Sequence, residues 1–536
     1  MIIILNILFV SSIVIILSII SNKFSQKIGI PSLLLFIGLG LFFGSDGIVQ
    51  IQFDNYHLAE AISSTALIFI MFYGGFGTRW KTAKPVAIKS LLLSSIGVLL
   101  TALLVGFFCY FVLHIELLES FLIGAVISST DAASVFSILK SKKLALKNQT
   151  SPMLELESGS NDPTAYMLTI IILDIMNGST AYGKYIYVVP GQFLIGGLCA
   201  LVLSYVTIKL YKNFNLRFNG LEIIYFVGMV LLSFSLPEKI GGNGYLSTYI
   251  FGIIIGNHSF KNKRVLINFF DGLTGLVQIC IFFLLGLLAF PSQMPQIMFV
   301  AFFITLFLTF IARPLAIFTI LKPLKCNLNQ IALVSFAGIR GASSIVFAII
   351  ATVNPAYLKN DIFHIVFSIV LFSIAFQGTL LPYVAKKLKM IDEDGDVLKT
   401  FTDYQEENAI QLIRLPISHS HPWISLRIKE LELPPQMLVV TIIKMNTAII
   451  PNGNTPIEYG DIVLIAAPGY QDSINVEVNE ITINNDHDWK QKQVHSIKID
   501  SNSLIAIIKR GNDIIVPNGN TVINEDDKLV LINKFD

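Results

Sequence analysis

Apolar windows long enough to cross about 30 Å of hydrocarbon recur through the first 390 residues. They fall near residues 2–20, 29–43, 58–77, 86–113, 117–139, 152–176, 187–210, 220–236, 240–256, 267–290, 297–321, 330–352 and 361–385. This pattern leaves few folds open. Inside a bilayer each spanning segment must satisfy its own backbone polar groups, and windows of this length do so as helices. The expected fold is an all-α polytopic membrane protein of about 13 transmembrane helices, with Met1 to Ile20 as the first span. A hydrophobic content of 54% against 14% charged and a mean hydropathy of +0.69 agree with that reading and exclude an ordinary water-soluble domain.

Charge tests the count, because Lys and Arg accumulate in cytoplasmic connections. The connections after the first, third, fifth, seventh, ninth and eleventh windows hold 18 Lys and Arg, whereas the alternate ones hold only Lys184, Lys239 and Lys359. A missed or invented span would break this alternation. The expectation is therefore an N-terminus outside a plasma membrane and a cytoplasmic C-terminal tail. The four cysteines stand singly, with no spacing that suits a disulfide framework or a metal site.

The net charge of +2 hides a split: residues 391–536 carry 22 Asp and Glu against 12 Lys and Arg. Domain 1–390 would be the membrane part and 391–408 an acidic linker beginning IDEDGD. Residues 409–482 and 483–536 would be two similar modules of an α+β tail. The repeat is direct: VVTIIKMNTAIIPNGNTPIEYGDIVLIA (439–466) aligns with LIAIIKRGNDIIVPNGNTVINEDDKLVLI (504–532), with Pro451 over Pro517 and Asp461 over Asp527. Ile and Val runs broken by Pro-Asn-Gly-Asn read as short strands joined by tight turns.

Ionisable residues inside the windows carry the functional signal: Asp131, Glu155, Glu157, Asp162, Arg313 and Arg340. Each would cost ~2.5–3.5 kcal/mol or more at the centre of a lone helix, so such residues face a bundle interior, pair, or line a water-filled path. In ELESGSNDPTAYM (155–167), helical spacing puts Ser158 and Asp162 on one face and Glu157 and Asn161 on the next. Pro163 lacks an N–H and so frees the carbonyl of Gly159. Carboxylate, hydroxyl and carbonyl are hard oxygen ligands suited to an alkali cation. SSTDAAS (128–134) and AGIRGASS (337–344) are small and polar enough to sustain breaks in the fifth and twelfth spans. Spans 1–6 and 8–13 would then be inverted repeats with broken helices crossing near the midplane.

Each residue also has a plainer reading. Asp162 could be a structural acid bonded to a neighbouring helix. Asp131 could cap a half-helix, whose N-terminus favours a negative charge, or take part in transport. Glu157 reads as the partner of an arginine such as Arg340. Arg313, just before Pro314, could snorkel or fill a carbonyl-lined kink. Asp174, Asp271 and His364 sit near window ends and read as interfacial; Glu155 finds no role.

The blocks SSTDAASVFSIL, LELESGSNDPTA, GNGYLSTYIFGIIIGN, FFDGLTGLVQICIFFLLGLL, ARPLAIF and GIRGA, in that order, resemble NhaP-type monovalent cation/proton antiporters, especially the potassium/proton branch. The match runs from about Ser21 to Leu381. The tail repeats resemble the C-terminal subdomain of RCK (TrkA-C) regulators. The resemblance implies a transporter rather than an enzyme: a homodimer in the lipid bilayer, each protomer moving its site between the two sides by alternating access. It implies that Asp162 binds cation and proton in turn and that Ser158 and the backbone around Thr130 help coordinate the cation. Asn161 and a Glu157–Arg340 ion pair would hold the crossing region. An Asn-Asp pair implies electroneutral exchange of one proton for one potassium or sodium ion. Competition for a single carboxylate gives the same coupling.

Two positions depart from the family. FYGGF places Tyr73 where many relatives have an acid, and Ser343 and Ser344 stand where a proline often follows Gly-Ala.

Two other classes compete. A potassium channel gated by the tail would need a TVGYG-like filter, which is missing from the sequence. An intramembrane aspartyl protease using Asp131 and Asp162 as a dyad would carry Gly-x-Gly where Gly-Ser-Asn precedes Asp162. The tail would be an assembly module or a sensor of a nucleotide such as a cyclic dinucleotide. It has no Gly-rich phosphate loop, so no redox cofactor is expected, and nothing in the sequence points to nucleic acid.

Overall fold

The computed structural model describes residues 2–28, 31–142, 144–213, 220–258, 260, 263–356, 358–392, 410–417, 421–434, 437–444, 447–468, 476–484, 487–497, 503–510, 513–515 and 517–534. The chain divides into two compact units, Met1–Gln405 and Glu406–Asp536.

The first unit is helical. Its helices are α1 (Ile2–Ile28), α2 (Ser32–Phe43), α3 (Tyr56–Gly77), α4 (Trp80–Phe111), α5 (Leu117–Val126), α6 (Ala132–Ser141), α7 (Thr150–Met176) and α8 (Tyr182–Asn213). There follow α9 (Leu221–Lys239), α10 (Gly244–Gly256), α11 (Lys263–Leu288), α12 (Pro291–Leu321), α13 (Leu328–Phe336), α14 (Ala342–Val353) and α15 (Ile362–Lys387). Among the described residues seven are long and apolar enough to cross a membrane: α3, α4, α8, α9, α11, α12 and α15. The windows at 117–139 and 330–352 are each two helices, interrupted at 127–131 and 337–341.

Side-chain caps fix several helix starts. Asn55, Asn243 and Asp361 accept from the backbone N–H three residues on, satisfying donors that a helix N-terminus leaves open. Glycines fix the closest packing, since apolar tails give helices in lipid no hydrophobic reason to associate and small residues let backbones approach. A Cβ on Gly75 of α3 would overlap the carbonyl oxygen of Tyr249 in α10, and one on Gly252 of α10 would overlap that of Phe72. FYGGF is therefore an α3–α10 packing site as well as the place of the expected acid. Among the described residues, three helices contain a turn of π-helix: Leu93–Gly97 in α4, Leu308–Ala312 in α12 and Ser373–Gly378 in α15. Such turns shift the side chains that follow them.

A two-stranded ribbon ties the end of this unit to an internal loop. β1 (Ala145–Leu146), between α6 and α7, pairs antiparallel with β2 (Ile391–Asp392), the start of the acidic linker, and Lys147 N–H donates to the Met390 carbonyl at 2.9 Å.

The second unit holds two four-stranded antiparallel sheets. The first comprises β3 (Ile410–Pro416), β4 (Leu438–Lys444), β5 (Thr447–Ile449) and β6 (Ile462–Pro468), in the order β3-β6-β4-β5. The second comprises β7 (Val476–Thr482), β8 (Ser503–Arg510), β9 (Asp513–Ile515) and β10 (Lys528–Lys534), in the order β7-β10-β8-β9. The repeat extends to the cores, Ile417, Val439, Ile442, Ile457, Val463 and Ile465 matching Ile483, Ile505, Ile508, Ile523, Leu529 and Leu531. The module boundary expected at 482/483 is corrected. β7 pairs with β10 in register from Thr482↔Lys528 to Val476↔Lys534, so it opens the second module just as β3 opens the first. Among the described residues, the helical part of each module is one 3-10 turn, Ile428–Glu430 or Val494–Ser496.

Candidate functional site

The two interruptions meet. Asp131 N–H donates to the Ile339 carbonyl at 2.8 Å, joining the break after α5 to the break before α14. A helix that stops in an apolar interior leaves its last carbonyls without partners. The carbonyls of the break that follows α5 have the same need, and Arg340, fully buried, meets it: its Nη1 donates to the carbonyls of Ser128 and Ser129 at 2.9 and 2.6 Å. The second break is held in turn by the π turn of α15. Arg340 N–H donates to Ser373 Oγ at 3.0 Å, Ser373 donates to Gln377 Oε1 at 2.5 Å, and Gln377 Nε2 donates to the Phe336 carbonyl at 3.1 Å.

The expected Glu157–Arg340 ion pair is corrected. Glu157 pairs with Arg313: Arg313 Nη2 lies 2.7 Å from Glu157 Oε1, and the two side chains are 3% and 1% exposed. Arg313 does not snorkel. The π turn at Leu308–Ala312 ends directly before Arg313. The carbonyls of Ser128 and Ser129, in the break after α5, occupy Arg340 instead.

α7 runs through Pro163 without stopping and packs its polar residues against the first break. Ser158 Oγ donates to the Thr130 carbonyl at 2.7 Å. Asn161 Nδ2 donates to Thr130 Oγ1 at 2.6 Å. Asp162, 5% exposed, accepts on Oδ1 from Ser129 Oγ, and Ser129 Oγ lies 2.8 Å from Ser343 Oγ of α14. The carboxylate is thus linked to hydroxyls from both breaks. The Pro163 carbonyl accepts from Asn243 Nδ2 at 3.1 Å.

A cavity of about 400 Å³ opens beside Asp162. Its walls bring together Asp162, Ser158, Thr130 and Asp131 with Ser343, Glu155, Tyr73 and the α11 residues Asp271, Thr274 and Gln278. Asp131 caps α6, accepting from Ser134 Oγ at 2.5 Å on Oδ2 and from Ser134 N–H at 3.4 Å on Oδ1, and it also lines the cavity. Glu157 and Asn161 lie off the cavity; one neutralises an arginine and the other braces Thr130.

Sequence reasoning missed four groups. Glu155, without a role there, is a wall residue. Ser129 and Ser343 touch the central carboxylate or its partner. Asp271, set aside as interfacial, accepts a 2.8 Å hydrogen bond from Tyr73 Oη. A signal for it was present: Asp271, Thr274, Gly275 and Gln278 follow the i, i+3, i+4, i+7 rule of one helix face. Asp174 lies off the cavity, partly exposed and paired with Lys184 at 2.6 Å.

A buried carboxylate held by hydroxyls, at two touching helix breaks and beside a cavity of about 400 Å³, is the arrangement expected where a membrane protein handles ions. Comparison gives that class its family. The description "Sodium/hydrogen exchanger, transmembrane" matches residues 12–387, and the chain belongs to this family of cation/proton antiporters. The TrkA-C domain matches twice in the tail, at 412–469 and 478–534. The chain is 30% identical over 453 residues to the K(+)/H(+) antiporter NhaP of Alkalimonas amylolytica, covering 84% of this chain and 79% of that one. It is 30% identical over 454 residues to the K(+)/H(+) antiporter NhaP2 of Shewanella baltica, covering 84% and 78%. The Na(+)/H(+) antiporter ApNhaP of Aphanothece halophytica is 25% identical over 440 residues, covering 77% and 79%. Among solved structures, the sodium proton antiporter MjNhaP1 of Methanocaldococcus jannaschii at pH 8 aligns with a TM-score of 0.61 and 24% identity. It covers 72% of this chain and 99% of that one, a likeness of fold.

Proposed function

We propose that this protein exchanges one potassium ion for one proton, without net charge movement, by alternating access at Asp162. One observation carries the reading: Asp162 is nearly buried, faces the cavity, and is held by hydroxyls from the interrupted helices rather than by a fixed cation. A carboxylate so placed can be neutralised by H⁺ or by a monovalent cation, but not by both. Ser158 and the Thr130 carbonyl, joined to each other in this structure, separate to offer two neutral oxygens beside Asp162 when the cation binds. Asp131 is the further oxygen ligand from the α6 cap. The names of the relatives at 30% identity favour potassium; sodium is the second reading, favoured by the more distant relative.

The rest of the proposal concerns assembly. The chain crosses the plasma membrane about 13 times as inverted repeats, N-terminus outside, and acts as a homodimer; the contact of the two breaks supports the repeat. The tail modulates exchange. Support comes from the ribbon in which the linker strand β2 pairs with β1, three residues before α7 and its Asp162. A nucleotide bound by the tail would act through this ribbon, and isothermal titration of the full protein with cyclic dinucleotides tests it. For the exchange itself, proteoliposomes with an imposed proton gradient are given potassium or sodium while the membrane potential is clamped. The proposal expects gradient collapse that is faster with potassium and insensitive to the clamp. Cation flux without proton movement would favour the channel reading.

A further inference from the structure

Asp271 lies two turns into α11 and is exposed, while Thr274, one turn deeper, is buried at 7% exposure. Both line the cavity that reaches Asp162, as does half-buried Gln278 another turn on. At 1.5 Å per residue the three span roughly 10 Å along the helix. Every third or fourth residue of this face is polar or small, in a helix otherwise dominated by Phe, Leu and Ile. Two details separate this stripe from a merely solvated face. The Thr274 hydroxyl is buried at the cavity without a hydrogen-bond partner, an arrangement that costs free energy unless a transient ligand uses the oxygen. Asp271 is held by the hydroxyl of buried Tyr73 from α3, the residue standing where the family resemblance leads one to expect an acid.

We propose that Asp271, Thr274 and Gln278 form a vestibule subsite that captures the hydrated monovalent cation and passes it to Asp162, with Tyr73 as the residue that positions Asp271. The acid missing from α3 is thereby supplied from α11. Asp271 attracts the cation at the exposed end, where an anionic group raises local cation concentration. Thr274 Oγ1 and the Gln278 amide oxygen replace part of its water shell further in. The inference rests on the exchange reading above and deepens it by assigning the route of cation loading.

The test is transport kinetics of full-length protein in proteoliposomes, with initial proton flux measured against potassium concentration at two ionic strengths set by an impermeant salt. Asp271→Asn is expected to raise the KM for potassium about fivefold at low ionic strength with kcat kept, and the difference shrinks as salt screens the site. Asp271→Glu restores most of the affinity. Thr274→Ala raises KM about threefold for one lost oxygen ligand, and Thr274→Ser restores it. Tyr73→Phe, which keeps the carboxylate but frees it, gives a KM between wild type and Asp271→Asn. An unchanged KM in Asp271→Asn overturns the subsite, as does a loss of kcat alone in both Asp271 variants. If Asp271→Asn fails to fold, an unchanged KM in Thr274→Ala overturns it equally. A wild-type protein without cation-dependent proton flux defeats the exchange reading instead.

Discussion

Glu157 has two buried arginines within reach of its region, and the structure gives it to Arg313 at 2.7 Å with both side chains at or below 3% exposure. Removing one partner of a buried pair leaves the other charge desolvated, which costs about 3–5 kcal/mol. Arg313→Gln should therefore destabilise the protein by roughly that amount, and Glu157→Gln by a similar amount. Removing both should cost much less than the sum, for a coupling of about 2–3 kcal/mol. Arg340 spends its Nη1 on the Ser128 and Ser129 carbonyls, so Glu157→Gln combined with Arg340→Gln should be closer to additive, within about 1 kcal/mol. The assay is a double-mutant cycle by unfolding in mixed micelles of increasing denaturing-detergent fraction, followed by loss of helical circular dichroism. Strong coupling of Glu157 to Arg340 with none to Arg313 would refute the assignment.

Other expectations follow from named contacts. Gly159→Ala puts a Cβ into the ring of Tyr249, and this overpacking should cost about 1–3 kcal/mol of stability and slow exchange; Tyr249→Leu should relieve both in thermal-shift and flux assays. Ser129→Ala removes the hydroxyl shared by Asp162 and Ser343, and flux should fall while the folded yield of purified protein stays at wild type. In the tail, Asp527 is buried, which alone would raise its pKa, but the Arg510 guanidinium at 2.8 Å and the Asn524 N–H hold it below the ordinary 3.8. A lowered carboxylate stabilises the fold above pH 3.8 and loses that contribution as pH falls through its folded value. Acid unfolding of a 406–536 fragment should therefore begin at higher pH in Arg510→Met, and an unchanged midpoint contradicts the pairing.

What the sequence revealed and what it withheld divide along physical lines. Local features were legible. The spacing of Ser158 and Asp162 needs only the helical repeat, the breaks at 127–131 and 337–341 were marked by runs of Ser, Thr and Gly, and the tail repeat by its Pro-Asn-Gly-Asn turns. Pairings between distant segments were not. Glu157 meets Arg313 across 156 residues of chain, and no periodicity tells a buried carboxylate which of two arginines will turn toward it; Arg340 is turned instead to the carbonyls of Ser128 and Ser129. The first strand of the second module shows a different failure. The aligned repeat began at 439 and 504, so β3 and β7 lay outside it, although the same 66-residue offset carries Ile410–Pro416 onto Val476–Thr482. Asp271 was discounted for its distance from the middle of its window, but a cavity that reaches inward makes an exposed position part of the site.

The account stands on one carboxylate exchanging its two ligands. The most direct measurement compares wild type with Asp162→Asn in proteoliposomes carrying an outward-directed potassium gradient, with internal pH followed over time. The account predicts potassium-dependent proton uptake in the wild type and none above the protein-free background in Asp162→Asn, at matched amounts of folded protein. Proton uptake in Asp162→Asn at the wild-type rate would contradict it.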